Sequence, residues 1–193
     1  MVISCIGDSL TEGDYGVFGK RGIANVHKEN YPYFLAQLTG AEVHNFAKCG
    51  FTSTDCRKYY ENGSADVKDS DIVIIMLGTN GGFNPESDTD GNRDYDILIN
   101  NIKTDAPNAR IIHCTPPHAT KNRNYSNYGC AENVEKAVDF VKKYAFKHNY
   151  ELIDIAACPD FRDDTEKVIQ PNDGLHFGAV GYKKLVEFVA KKL

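Results

Sequence analysis

Four short stretches hold the residues of this chain best suited to chemistry: Gly7-Asp8-Ser9-Leu10, Cys49-Gly50-Phe51-Thr52, Gly78-Thr79-Asn80 and Asp173-Gly174-Leu175-His176-Phe177. Ser9 follows directly on a short apolar run, and a serine so placed caps a helix, cradles a phosphate or attacks a carbonyl. Its hydroxyl is a poor nucleophile until a base takes its proton during the attack. Asp173 and His176 stand three apart, so one loop can present both: the carboxylate accepts from one ring nitrogen and leaves the other free to take a proton. Of the other histidines, His44 and His113 fall in strand-like runs, His27 and His118 lie in loops with no adjacent carboxylate in sequence, and His148 is near a helix end. His176 is the base of choice.

These stretches act together only if the fold carries them to one edge. Apolar runs at 2–6, 42–46, 71–77, 109–115 and 151–155 read as strands, the third nearly continuous and β-branched, as in a strand covered on both faces. Between them, helical spacing marks 31–38, a short segment from about residue 54 to before Gly63, and 93–104, 131–149 and 179–192. Strands alternating with helices imply a parallel sheet between two helix layers, an α/β protein of one domain spanning 1–193. Three connections, 13–30, 81–92 and 116–130, are longer than such units need. They leave the carboxyl ends of strands, where open parallel sheets place their sites.

Bulk properties narrow the classes. The chain has 193 residues, 41% hydrophobic and 25% charged, with a formal charge of −5 and scattered basic residues. That leaves no footprint for nucleic acid or an anionic membrane. No apolar run nears the ~20 residues that span a bilayer, and 2–6 is too short for a signal-peptide core, so a cytoplasmic location is expected. The six cysteines include no C-x-x-C pair and read as free thiols.

The four stretches in this order resemble the GDSL-type esterases, or SGNH hydrolases: Gly7-Asp8-Ser9 for the first block, Gly50 for the glycine block, Gly78-Thr79-Asn80 for the third, and Asp173 with His176 for D-x-x-H. The chain departs from the family's pattern at Ala47, where a further glycine is common, and at Gly81, where Asp is common. The resemblance implies a three-layer α/β/α sandwich with a central five-stranded parallel sheet of flavodoxin-like type. It implies ester hydrolysis through an acyl-enzyme, with Ser9 as nucleophile, His176 as base and Asp173 as its orienting carboxylate. The oxyanion hole would be the N–H groups of Ser9 and Gly50 with the Asn80 amide.

Asp8, Tyr15, Phe18, Tyr125 and Tyr128 are the candidate substrate-binding residues, and the loops that hold the tyrosines also carry Lys20, Arg21, Asn122, Asn124 and Asn127. Aromatic faces interleaved with amides suit a polar, ring-shaped leaving group, so a short acyl ester is expected, most simply an acetyl group on a carbohydrate or other small molecule. A lysophospholipase- or thioesterase-type hydrolase is the enzymatic alternative, and a non-catalytic carbohydrate-binding domain the other. No metal or organic cofactor is implied, and the oligomeric state is not written in the sequence. G-x-S-x-G is absent, and GDYGVFGKR (13–21) lacks the first Gly and the Ser/Thr of a P-loop. The acidic run 86–97 has part of an EF-hand spacing, but Ile97 stands where the closing Glu belongs, so it reads as a solvated loop.

Overall fold

The computed structural model describes residues 1–18 and 24–193. In chain order the elements are β1 (Val2–Gly7), α1 (Ser9–Glu12), β2 (Asp14–Phe18), β3 (Ala24–Val26), α2 (Tyr31–Thr39), β4 (Glu42–Ala47), α3 (Ser53–Glu61), β5 (Ile72–Met76), α4 (Asp90–Asp105), β6 (Arg110–Cys114), α5 (Ala131–His148), β7 (Glu151–Ile153), α6 (Glu166–Ile169) and α7 (Ala179–Ala190). Five strands form one parallel sheet in the order β4-β1-β5-β6-β7, while β2 and β3 make a separate antiparallel hairpin.

Strand periodicity builds the two layers. Along β5, Ile72, Ile74 and Met76 point to one face and pack with Tyr31 and Leu35 of α2 and Tyr182, Leu185, Val186 and Val189 of α7. Val73, Ile75 and then Leu77 point to the other, against Tyr60 of α3, Tyr95, Leu98 and Ile102 of α4, and Ala137, Val141 and Tyr144 of α5. With both faces covered, a continuous apolar strand is what the sequence must supply, and it does. The α/β/α expectation holds.

Strand register decides where chemistry can gather. Gly7 pairs with both Ala47 and Met76, and Met76 pairs with Cys114, so neighbouring strands end level. The chain reverses its direction across the sheet at β1, between β4 and β5, which is where such sheets open a crevice. A side chain on Gly7 would press its first carbon to 2.1 Å from Thr11 Oγ1 and 2.8 Å from the Met76 carbonyl. Only glycine lets α1 fold back this tightly.

Several boundaries differ from expectation. The 13–30 connection contains the β2–β3 hairpin. Helix α4 starts at Asp90 rather than 93, because the Thr89 side chain accepts from Asn92 N and caps it. The acidic run is therefore helical from Asp90 onward, and Arg93 pairs with both Asp88 and Asp90. Strand β7 stops at Ile153, and a 3-10 turn over Ile155–Ala157 replaces its expected end, because Asp154 turns to accept from Thr115 Oγ1 and Lys142 Nζ. The six cysteines are free. Among the described residues, no helix is long and apolar enough to cross a membrane.

Candidate active site

Ser9 is the first residue of α1, and its neighbour Asp8 does the capping: the Asp8 carboxylate accepts from Leu10 N at 3.0 Å. The Ser9 hydroxyl is thus left for other work. It lies 2.9 Å from His176 Nε2, and His176 Nδ1 lies 2.6 Å from Asp173 Oδ2. The arrangement is almost dry, with Ser9 3% exposed, His176 8% and Asp173 1%.

Asp173 is fixed on all sides. Its Oδ1 accepts from Leu175 N at 3.0 Å and His176 N at 2.8 Å, and its Oδ2 also accepts from Asn127 Nδ2 at 2.8 Å. The loop 116–130 is laced to this segment through Asn127 N on the Asp173 carbonyl and Thr120 N on the Gly174 carbonyl. Beneath it the buried Glu166 carboxylate accepts from Thr120 Oγ1 and Asn122 Nδ2. The hairpin closes the other side. Gly16 has φ +68°, and a side chain there would place a carbon 2.5 Å from Asp173 Oδ2.

Charge follows from these contacts. Burial works against ionising Asp173, but the His176 ring and the His176 and Leu175 amides outweigh it and hold the carboxyl below its usual range. Burial likewise opposes a charge on His176, yet Asp173, then Asp14 and Asp8, hold its pKa above the ordinary value. Desolvation lifts the wholly buried Asp8 to about 6.

The Gly50 turn is tied to the serine's own helix. Glu12 of α1 accepts from Cys49 N at 2.6 Å and Lys48 Nζ at 2.9 Å, and Asn45 Nδ2 donates to the Thr11 carbonyl at 3.0 Å. Gly50 itself is exposed, with φ +81°. Asn80, also exposed, donates one amide hydrogen to the Phe51 carbonyl at 2.9 Å, beside that turn, and among the described residues its second amide hydrogen has no acceptor. The second and third stretches thus meet.

The substrate-binding candidates divide. Asp8 is completely buried as the α1 cap, so it cannot touch a ligand; its expected place among the substrate contacts is corrected to support beneath Ser9. Tyr15 stacks on His27 with ring centroids 4.0 Å apart and donates to the Glu29 carbonyl. Tyr125 packs over Gly174, and Tyr128 is exposed. The Phe18 side chain, Lys20 and Arg21 lie outside the described residues. Asn127, read as a wall amide, binds Asp173 instead. Sequence reasoning missed Asp14, whose Oδ2 is 3.7 Å from His176 Nε2, and the spatial pair His118–Asp163 at 2.7 Å. A groove of about 580 Å³ between α4 and α5, lined by Asp96, Phe140, Tyr144 and His148, shares no residue with the Ser9 cluster. Chemistry rather than concavity picks the site.

A parallel sheet between two helix layers, with a hydroxyl, an imidazole and a carboxylate hydrogen-bonded in series at its carboxyl edge, defines an α/β/α fold with a Ser-His-Asp cluster at that edge. The sequence matches the GDSL-like lipase/acylhydrolase family over residues 5–184, and the chain belongs to that family of carboxylic ester hydrolases. No match in sequence is found among curated proteins. Solved structures share the fold. Est24, a carbohydrate acetylesterase from Sinorhizobium meliloti, is 18% identical, with a TM-score of 0.77 over 99% of this chain and 97% of that one. The M. smegmatis aryl esterase is 19% identical, with a TM-score of 0.74 over 99% and 97%. A lipase/acylhydrolase from Enterococcus faecalis is 22% identical, with a TM-score of 0.71 over 99% and 94%.

Proposed function

We propose that this protein is a serine esterase that removes a short acyl group, acetyl in the simplest case, from a carbohydrate ester. The observation that carries the reading is the unbroken series Ser9 Oγ, His176 Nε2, His176 Nδ1, Asp173 Oδ2, with contacts of 2.9 and 2.6 Å.

In this reading Ser9 Oγ attacks the acyl carbon as its proton passes to His176 Nε2. Asp173 holds the other ring proton on Nδ1 and steadies the imidazolium. The carbonyl oxygen becomes an oxyanion, met by the N–H groups of Ser9 and Gly50 and the free amide hydrogen of Asn80. Collapse breaks the ester C–O bond, and the leaving alkoxide takes the proton from Nε2. Water then attacks the acyl-enzyme, giving a proton to Nε2. The second collapse returns that proton to Ser9 Oγ and frees the acid.

The substrate class rests on two supports. Tyr125 and Tyr128 stand in the loop that holds Asp173, beside the exposed Asn124, a composition suited to sugar rings. Est24, which shares the fold, is a carbohydrate acetylesterase.

A fluorophosphonate probe should label the wild-type protein at Ser9, and Ser9→Ala should abolish labelling. A folded protein that does not label refutes the enzyme and leaves a binding module. Acetate release from acetylated sugars, with p-nitrophenyl acetate turned over faster than p-nitrophenyl octanoate, supports the short acyl group. Preference for the octanoate would transfer the activity to the lysophospholipase or thioesterase type.

A further inference from the structure

We propose that Asp14 is a second carboxylate for His176, a positioning residue that stabilises the imidazolium from the Nε2 side while Asp173 does so from Nδ1. The inference deepens the proposed function and rests on its assignment of His176 as the base.

The geometry is specific. Asp14 opens β2, its side chain only 5% exposed, and Oδ1 is committed to Gly16 N at 2.8 Å. Its Oδ2 faces His176 Nε2 at 3.7 Å and the weak donor Cys49 Sγ at 3.9 Å. Its backbone is pinned as well, since Tyr182 Oη of α7 donates to the Asp14 carbonyl at 2.9 Å. A buried carboxylate is costly without a cationic or hydrogen-bonding partner.

In the resting enzyme Nε2 turns a lone pair toward Ser9, and two acceptors near each other gain nothing. Once the serine proton reaches Nε2, the same carboxylate faces a cation. The interaction is made in the transition state and not in the ground state, which is the condition for it to raise kcat. Asp14 never takes the proton, which goes on to the leaving alkoxide.

The other ionisable groups near His176 are accounted for. Asp173 on its own loop and Asp8 at the β1–α1 junction also favour the imidazolium. Glu12, on α1, is engaged by Lys48 and Cys49 N. Cys49, on the β4–α3 turn, has its thiol pushed far up, by burial first and then by Glu12, Asp14 and Asp8, so it stays neutral. Asp173, Asp8 and Glu12 keep their contacts when Asp14 alone is changed, and burial and Glu12 still hold the Cys49 thiol neutral.

The test compares wild type with Asp14→Asn, which keeps an acceptor for Gly16 N, and Asp14→Ser, too short to reach the ring. Profiles of kcat against pH are taken with p-nitrophenyl acetate, and His176 is titrated by ring NMR. Loss of the charge should lower the midpoint of the acidic limb by about 1 pH unit and the alkaline plateau of kcat by about tenfold. KM should barely move, and the profiles should converge on the acidic side. A purely structural role would depress the whole profile with its midpoint unmoved, and that result overturns the proposal.

In the wild type itself, the Asp14 carboxyl carbon should show a chemical-shift step at the His176 midpoint. No step refutes the coupling even if both variants fail to fold. If the wild type neither labels nor turns over, the esterase reading falls. The ring titration still decides, separately, whether Asp14 biases His176.

Discussion

Asp173→Asn is the sharpest perturbation of this site, because the hydrogen bonds around Asp173 dictate how an amide must sit there. Oδ1 accepts from two backbone N–H groups, of Leu175 and His176, and these do not move. The variant's amide oxygen has to take that position, since its NH2 would otherwise face two donors. The NH2 is then forced into the place of Oδ2, against the Asn127 amide and His176 Nδ1. Facing a donor, Nδ1 gives up its hydrogen and becomes an acceptor, and the ring proton moves to Nε2. That is the wrong tautomer for Ser9, whose proton then has no lone pair to go to across the 2.9 Å contact. Where a tautomer is trapped this way in a serine–histidine–aspartate site, kcat falls about 10⁴-fold, or about 5 kcal/mol of barrier. Asp173→Ala, which leaves room for water to accept from Nδ1, should lose no more than Asp173→Asn despite removing more of the side chain. The assay is kcat for p-nitrophenyl acetate on the alkaline plateau, with ring-nitrogen NMR to read the tautomer. A folded Asp173→Asn variant that keeps more than a tenth of wild-type kcat, or still carries its ring proton on Nδ1, refutes the argument.

Asn80→Ala removes an exposed side chain and, on the proposed function, one oxyanion donor, so kcat should drop about 10²- to 10³-fold with KM nearly constant; a change confined to KM would place Asn80 in ground-state binding. Asp8 gives a stability prediction: with its pKa lifted from 3.8 to about 6 by burial, the native state holds a proton that the unfolded chain has lost between those values. Stability therefore falls as pH rises through that window, by at most about 3 kcal/mol. Asp8→Asn, which can still cap Leu10 N, should remove the fall and unfold in urea later than wild type at alkaline pH. Parallel stability curves across the window would rule it out. Asn127→Ala leaves Asp173 its backbone donors and the ring, so it should cost roughly 1.5–3 kcal/mol in urea unfolding and reduce kcat far less than Asp173→Asn. A loss equal to that of Asp173→Asn would mean that the loop, not the carboxylate, sets the geometry.

The sheet was legible because burial on two faces writes itself into composition: β5 reads Ile-Val-Ile-Ile-Met without a polar interruption. The helices α2, α4, α5 and α7 were legible because their apolar stripes outlast several turns. What failed to register was short or locally capped. Helices α1 and α6 have four residues each, too few to show a period. The β2–β3 hairpin starts from Asp-Tyr-Gly-Val-Phe, which alternates no apolar face, and its place is set by tertiary contacts such as Tyr182 Oη on the Asp14 carbonyl. At α4 the start signal was in plain view: Thr89 caps the helix, but Asp-Gly-Asn after it reads as loop by composition.

The site divides along the same line, and the division carries a consequence. Ser9, Asp173, His176 and Asn80 were legible because each sits in a short block with its partner or its strand end close in sequence. Asn127 and Asp14 were not, because an amide or a carboxylate in a loop gains its meaning only from what the fold sets opposite it. Asn127 donates to Asp173 and Asp14 faces Nε2, both from segments that a reader of the sequence assigns to the walls of a pocket. The loops that shape access to the site are thus also those that hold its charges. A substitution of Asp14 or Asn127 chosen to alter substrate preference would also remove a contact to His176 or to Asp173. On the proposed function, rate, pH dependence and substrate preference of this protein would therefore be linked through the contacts these two loops make with His176 and Asp173.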